Sequence, residues 1–224
     1  MSTLAIVGAG QGLGASVAKR FGREGFSVAL IARRPENVDR LAEELAAEGI
    51  DARGYSADVS DRDALTLALQ AAAADLGTIE VLQYSPVPDK RYLKDVLDTT
   101  VDDLTSAVTF SLLGAAAAVH EVLDGMTDLG KGTVLLVNGN SAATPNRAVA
   151  GTSAAFAAES AYGLMLHEAL VEKNVHVGQL IIPGAIGGGD PLYEPDALAE
   201  RLWTIHRTPG EFRTTVTGDG EGTS

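Results

Sequence analysis

The stretch VGAGQGLGAS, residues 7–16, decides the fold of this 224-residue chain. It follows the run TLAIV, which has the length of a buried strand, and it opens a helical pattern that ends at Gly25. A sharp turn from a strand into a helix favours glycine, here Gly8. The start of such a helix presents free backbone N–H groups, which attract an anion such as a phosphate.

The spacing of the glycines indicates a nucleotide ligand. A side chain at Gly12 would keep a phosphate from the backbone, and Gly14 permits close packing of the helix on the strand. Glycine-rich turns are common, but here a strand precedes the turn, a helix follows it, and strand–helix units continue along the chain. We therefore predict that one segment binds a dinucleotide through Gly8, Gly10, Gln11, Gly12, Leu13 and Gly14.

The end of the second strand, LIARRPE at 30–36, indicates which dinucleotide is bound. An acidic residue there would bind the ribose 2′-hydroxyl of NAD(H). Arg33 and Arg34 instead offer two guanidinium groups that can bind a 2′-phosphate and stack on adenine. The sequence favours NADP(H) over NAD(H), with the alternative that one arginine merely faces solvent.

Apolar runs and helical patterns alternate along the rest of the chain. Further strands are predicted at 27–32, 51–57, 79–84, 132–138, 175–182 and 211–216. Helices are predicted at 36–49, 60–77, 99–124, 152–172 and 196–207, the second of them capped by Ser60 and Asp63. This order predicts an α/β fold, a Rossmann-like doubly wound parallel sheet of about seven strands with helices on both faces.

The predicted sheet organises the whole chain. The loops 85–98 and 183–195 both follow strands, so they lie at the carboxyl edge of the sheet, where ligands bind in such folds. We expect a single NAD(P)-binding domain over residues 1–216 and a disordered tail over 217–224.

Composition excludes several other classes. With 17 basic and 30 acidic residues the net charge is 17 − 30 = −13, which repels nucleic acid and anionic membranes. The chain has no cysteine, and its four histidines are scattered, so no metal site is expected. Neither a signal peptide nor a membrane-length apolar run is recognisable, which predicts a soluble cytoplasmic protein.

Residues 3–216 resemble the short-chain dehydrogenase/reductase superfamily. The resemblance rests on GAGQGLG, ADVSD (57–61), IEVL, GTVLLVN and IIPGAI (181–186). It implies an NAD(P)-dependent oxidoreductase for a small carbonyl or alcohol substrate, assembled as a homodimer or homotetramer on two long helices. It also implies contacts with the adenine by Asp58 and Val59, and with the rest of the cofactor by Ser85, Pro86, Pro183, Gly184 and Ile186.

The catalytic half departs from the family pattern. The family's tyrosine and lysine are matched by Phe156 and Ser160, and its helix asparagine is matched by Ser111. The family's serine falls on Gly139, Asn140 or Ser141. Phenylalanine has no proton to give and serine has no charge, so the standard general acid, commonly worth about 10²–10⁴-fold, is lost.

Substitute groups are available near the predicted carboxyl edge, each with a structural alternative. Tyr84 ends the fourth strand and is either a proton donor or a packing residue. Asn140 and Ser141 either polarise a carbonyl or form a turn, and Glu159 either serves the site or is a solvated helix charge. The glycines of the loop 183–195 form either a mobile lid or an ordered turn.

Three functional hypotheses follow from these residues. The first is a divergent NADP(H)-dependent oxidoreductase with altered acid–base groups. The second is an NADP(H)-binding sensor, regulator or partner subunit without dehydrogenase activity. The third is a fold that has lost its nucleotide.

Overall fold

Seven strands form one parallel sheet in the computed structural model, which describes residues 2–218, in the order β3-β2-β1-β4-β5-β6-β7. The strands are β1 (Thr3–Val7), β2 (Ser27–Ala32), β3 (Ala52–Ser56), β4 (Ile79–Tyr84), β5 (Gly132–Gly139), β6 (Val175–Ile182) and β7 (Arg213–Thr215). This confirms the predicted fold class. Residues 219–224 of the predicted tail lie outside the described residues.

Helices cover both faces of the sheet. They are α1 (Leu13–Gly22), α2 (Pro35–Ala47), α3 (Arg62–Leu76), α4 (Val101–Val108), α5 (Gly114–Leu129), α6 (Ala150–Ala169) and α7 (Pro195–Arg207). Buried residues of α1, α2 and α7 form one apolar core with the sheet, and those of α3 to α6 form the other. The strand order reverses between β1 and β4, where a doubly wound sheet opens a crevice at its carboxyl edge.

The helical segment predicted at 99–124 runs from Val101 to Leu129 and contains a π-helical turn, Thr109–Leu113, between α4 and α5. By length and apolar composition alone it would suit a membrane span. It packs instead as a core helix, since Ala118, Val122 and Met126 are buried against the sheet.

The start of α3 shows how a helix cap can be misassigned from sequence. The predicted pair Ser60 and Asp63 does not cap the helix. Asp61 does, because its carboxylate accepts a hydrogen bond from the backbone N–H of Ala64 at 3.0 Å.

Candidate active site

A cleft in two lobes runs along the carboxyl edge of the sheet. One lobe, here called the arginine lobe, has a volume of about 230 Å³ and lies at the ends of β2 and β3. The other, the apolar lobe, has a volume of about 520 Å³ and lies at the ends of β4, β5 and β6. The two are continuous, because Gly8, Pro86 and Val87 line both.

The glycine loop forms the floor between the lobes. Gly8 has a φ of +92°, and a Cβ there would lie 2.5 Å from the backbone of Pro86, so only glycine fits. A Cβ on Gly12 would meet nothing within 4 Å, so that backbone faces open space. No side chain caps α1, which leaves the first N–H groups of the helix available to an anion.

The arginine lobe ends at the corner after β2. Arg33 and Arg34 both line it, together with Asn37 from the first turn of α2. Both guanidinium groups stay exposed there, as expected for residues that take a phosphate from solvent. Val59 also lines this lobe, and its contact with the adenine stays a prediction.

Two predicted cofactor residues point elsewhere. The side chain of Gln11 donates to Glu44 of α2 at 3.2 Å, and it does not line either lobe. Asp58 is exposed, and its carboxylate accepts a hydrogen bond from the Ser60 N–H at 2.8 Å. Its side chain is thus used in a local turn beside the arginine lobe rather than in its wall.

Most of the remaining predicted cofactor residues meet in the apolar lobe. Gly10, Leu13 and Gly14 line it from α1 and its loop, and Ser85 and Pro86 line it from the segment after β4. Gly184 and Ile186 line it from the loop after β6. Pro183 is exposed and lies outside this lining.

These features fit a nicotinamide dinucleotide along the cleft. The uncapped helix and the glycine loop would hold the pyrophosphate, the two arginines would hold the adenosine end, and the apolar lobe would receive the nicotinamide. The cofactor would supply a hydride there; the groups that handle the proton must come from the protein or from water.

Phe156 lies in the wall of the apolar lobe. It is buried and packs with Ala142 and Ile181 in a small cluster beneath the lobe. Phe156 thus lines the cleft, and its side chain can contribute an apolar surface but no proton.

Ser160, one helical turn after Phe156, is turned into the protein. Its hydroxyl donates to the Gln179 side-chain oxygen at 2.8 Å and accepts from the Arg213 guanidinium at 2.5 Å. It is buried and does not line the apolar lobe. The structure thus corrects its assignment as a catalytic candidate: Ser160 joins α6 to β6 and β7.

The same contacts form a directed chain of hydrogen bonds. The Arg213 guanidinium can only donate hydrogen bonds. The Gln179 atom that it contacts at 3.0 Å must therefore be the side-chain oxygen, and this fixes the orientation of the Gln179 amide. Gln179 then donates to the Asn138 oxygen at 2.8 Å, and Asn138 donates to Glu159 at 3.2 Å. Asn138 lines the apolar lobe, so this chain reaches the cleft at one residue.

Glu159 is not the solvated charge that the sequence suggested. Only 1% of it is exposed, and burial raises the pKa of its carboxyl to about 8, although the hydrogen bond from Asn138 acts in the opposite direction. The carboxyl is therefore mainly protonated at neutral pH. Glu159 itself does not line the lobe.

Tyr84 is not placed to donate a proton to a ligand in the cleft. Its hydroxyl donates to the carbonyl oxygen of Phe110, within the π-helical turn, at 2.5 Å. The side chain is buried, and burial raises its pKa well above the ordinary value. Tyr84 is a packing residue that satisfies a carbonyl in an irregular helix turn, which corrects its assignment as a proton donor.

The other catalytic candidates separate by position. Ser111 is buried in the π-helical turn and Asn140 is exposed beyond β5, and neither lines the apolar lobe. Ser141 does line it. Of the predicted candidates, the structure brings only Ser141 and Phe156 into the cleft.

The loop after β6 forms an ordered turn beside the cleft. Gly187 donates its N–H to the Tyr193 carbonyl at 3.0 Å, and Asp190 accepts from the Leu192 N–H at 3.0 Å. The Tyr193 ring lies against Gly184, where a Cβ would come within 2.2 Å of it. Of the two alternatives left open by the sequence, this structure contains the ordered turn.

Sequence comparison identifies related dehydrogenases. The short chain dehydrogenase family model matches residues 2–189. A 2,3-dihydro-2,3-dihydroxybenzoate dehydrogenase from Bacillus subtilis is 28% identical over 182 residues, which make up 80% of this chain and 68% of that enzyme. The glycine betaine reductase ATRR of Emericella nidulans is 31% identical over 133 residues, 59% of this chain but only 10% of that protein.

Solved structures share the fold over nearly the full length. A short-chain dehydrogenase from Rhodopseudomonas palustris is 25% identical and superposes with a TM-score of 0.85, covering 96% of this chain and 98% of that one. A metagenomic short-chain oxidoreductase in complex with NADP has a TM-score of 0.82 at 20% identity, covering 96% of each chain. At 20% identity, the likeness to the metagenomic oxidoreductase shows a shared fold and nothing more.

Proposed function

Because the chain belongs to the short-chain dehydrogenase family, we propose that it is an NADP(H)-dependent oxidoreductase for a small carbonyl or alcohol, with an atypical catalytic site. The observation that carries the proposal is the continuous cleft, which joins an uncapped helix start and a glycine floor to a pair of exposed arginines. These are the groups that a phosphorylated dinucleotide requires.

The atypical site follows from two substitutions. At Phe156 the wall of the cleft is apolar, and at Ser160 the hydroxyl is bound to Gln179 and Arg213. Ser141 and Asn138 supply neutral polar groups to the lobe, and a carbonyl oxygen can accept hydrogen bonds from them. The proton that reduction requires would then come from water, since neither residue is an acid at neutral pH.

The test of the proposal is a comparison of two arginine variants. Arg33→Ala should weaken NADPH binding by about tenfold or more and leave NADH binding nearly unchanged, because a charge-assisted contact to the 2′-phosphate is lost. Arg40→Ala, on the exposed side of α2 near Glu44, removes the same charge outside the cleft and serves as the control. Fluorescence titration of both nucleotides measures the difference.

Equal losses for NADPH and NADH in Arg33→Ala would contradict the preference for NADP(H). No affinity of the wild type for either nucleotide would support the third hypothesis, an empty fold. A screen of aldehydes, ketones and quinones with NADPH then measures turnover.

A second candidate function is an NADP(H)-binding sensor, regulator or partner subunit without dehydrogenase activity. One observation favours it: within residues 2–218, no side chain that lines the apolar lobe has a carboxyl, imidazole, amine, guanidinium or phenol group that could act as an acid or a base. Saturable NADPH binding without turnover of any carbonyl in the screen would support this function over the first.

We also propose that the protein is a cytoplasmic homodimer or homotetramer formed by the single domain 1–216. Large apolar side chains are exposed on the helices that cover one face of the sheet, namely Leu113, Leu164 and Met165. Light scattering of the purified protein tests the oligomeric state, and cell fractionation tests the location.

A further inference from the structure

The side chains that enclose the apolar lobe are neutral. Much of its apolar wall comes from three segments: the loop after β4, the start of α6, and the loop after β6. The apolar side chains that these segments contribute are Val87, Pro88, Leu93, Val149, Phe156 and Ile186. The polar side chains among the described lining residues are an amide and hydroxyls, namely Asn138, Ser85, Ser141 and Thr152. These side chains can form hydrogen bonds with an anionic ligand but offer it no counter-charge. The start of α1 also lines the lobe and attracts anions, and in the proposed function the pyrophosphate occupies it.

Two cations of the surrounding loops are paired with acids, and Lys90 of the loop after β4 is exposed and does not line the apolar lobe. Lys94 binds the carboxylate of Asp103 at 2.9 Å, and Arg147 binds that of Asp95 at 2.9 Å. The hydrogen bonds from Lys94 and Thr100 lower the pKa of Asp103 to about 2, so this carboxyl stays ionised over the working range of pH. Neither cation is free to turn toward a ligand without breaking its pair.

The unpaired arginines lie at the other end of the cleft. Arg33 and Arg34 line the arginine lobe and do not line the apolar lobe. In the proposed function they are used by the cofactor. The net charge of −13 adds a general repulsion of anions.

We propose that, with the dinucleotide on the glycine loop, the rest of the apolar lobe binds a neutral, mainly apolar carbonyl or alcohol and rejects carboxylates. The reason is that an anion would lose its hydration in the lobe without gaining a partner of opposite charge. This inference rests on the proposed function, in which the apolar lobe is the substrate end of the cleft.

The experiment uses two ligands with the same 4-acetylphenyl core, the neutral ester methyl 4-acetylbenzoate and the anion 4-acetylbenzoate. Calorimetry with the full chain measures their affinities with and without saturating NADP⁺. We expect the ester to bind about tenfold or more tightly than the acid, because burial of an unpaired carboxylate is costly. A separate NADPH titration tests the proposed function itself.

Two leucine variants locate the effect in the lobe. Leu93 lines the lobe, whereas Leu97 lies in the same loop, is 87% exposed and lies outside the lining. Leu93→Lys should strengthen binding of the acid by about threefold to tenfold, because it provides the missing counter-charge. Leu97→Lys adds the same charge outside the lobe and should change the ratio of the two affinities by less than about twofold.

The outcomes separate the two proposals. Equal or tighter binding of the acid by the wild type overturns the inference, and so does equal enhancement by the two lysine variants. Failure of both ligands to bind while NADPH binds also overturns it and leaves the cofactor proposal standing. Failure of NADPH to bind overturns the proposed function and, with it, the inference that rests on it.

Discussion

The two ends of the cleft differ in what they do with charge. At the arginine lobe, the exposed side chains of Arg33 and Arg34 line the cleft. Beneath the apolar lobe, the buried carboxyl of Glu159 and the guanidinium of Arg213 are joined to each other through the buried amides of Asn138 and Gln179. The arginine lobe, which is the nucleotide end in the proposed function, thus presents cations to the cleft, whereas within residues 2–218 no charged side chain lines the apolar lobe, its chemical end.

Ser160, the residue matched to the family's lysine, has partners of its own in the fold. Its hydroxyl accepts a hydrogen bond from the Arg213 guanidinium of β7 at 2.5 Å. The substitution at 160 is therefore part of a coupled set that includes Gln179 and Asn138. Restoring one residue of the family pattern would disturb the whole set.

The largest expected effect comes from Ser160→Lys. The new ammonium group would lie beside Arg213 in a buried site, which should cost about 3 kcal/mol or more of folding stability through repulsion and overpacking. Urea unfolding measures the change. The double variant Ser160→Lys with Arg213→Ala removes the like charge and should recover part of the loss; no recovery would mean that Arg213 is not the group responsible.

A smaller effect, confined to the nucleotide end, is expected from Gly8→Ala. The φ of +92° and the 2.5 Å approach to Pro86 should cost about 2–3 kcal/mol and reduce NADPH affinity, because the loop must shift. Gly10→Ala is the matched control for stability, since a Cβ there meets nothing within 4 Å. Thermal unfolding compares the two. Similar losses of stability would contradict the close contact with Pro86.

The fold was predictable because its signals are local and repeated. Strands such as SVALIA and VHVGQLII are continuous apolar runs, and they occur at the predicted positions, Ser27–Ala32 and Val175–Ile182. Helix ends were less predictable. Asp61 rather than Ser60 caps α3, because nearby polar residues of similar capping ability are distinguished only by the backbone conformation.

The chemical end was less predictable because its contacts are long-range. Tyr84 ends a strand at the correct edge, but strand alternation places its side chain on the α5 side, against the Phe110 carbonyl. Glu159 resembles an ordinary helix acid in sequence. The sequence did contain one sign of a buried polar network, because Asn138 and Gln179 lie in otherwise apolar strands. Buried amides require hydrogen-bond partners, and here these include Glu159.

The pH dependence of stability tests whether Glu159 is protonated. The pKa of its carboxyl is about 8 in the folded protein and near 4.5 when unfolded, so the folded state holds the proton more tightly. Its contribution to stability is full below the unfolded pKa and is lost as pH rises toward and through 8, by on the order of 1 kcal/mol per pH unit.

Glu159→Gln removes this titration with little change in shape. The variant should lose less stability than the wild type between pH 6 and 9 in urea unfolding. Glu168→Gln, an exposed position on the same helix, is the control and should follow the wild type. A Glu159→Gln profile parallel to that of the wild type would mean that the carboxyl is already ionised, and the contrast between the two ends of the cleft would weaken.

The smallest effect is expected from Tyr84→Phe. This variant tests whether the Tyr84 hydroxyl donates a proton to a ligand in the apolar lobe. Loss of the hydroxyl leaves the buried Phe110 carbonyl without its donor, at a cost of about 1 kcal/mol in stability. NADPH affinity, and the rate of any carbonyl turnover, should stay within about twofold of the wild type because the hydroxyl faces the helix rather than the cleft. Rates measured across pH 6–9 check this, with Tyr162→Phe on α6 as the matched control. If a folded Tyr84→Phe variant lost all turnover, Tyr84 of β4 would be the proton donor, which would contradict the conclusion that the apolar lobe lacks an acid.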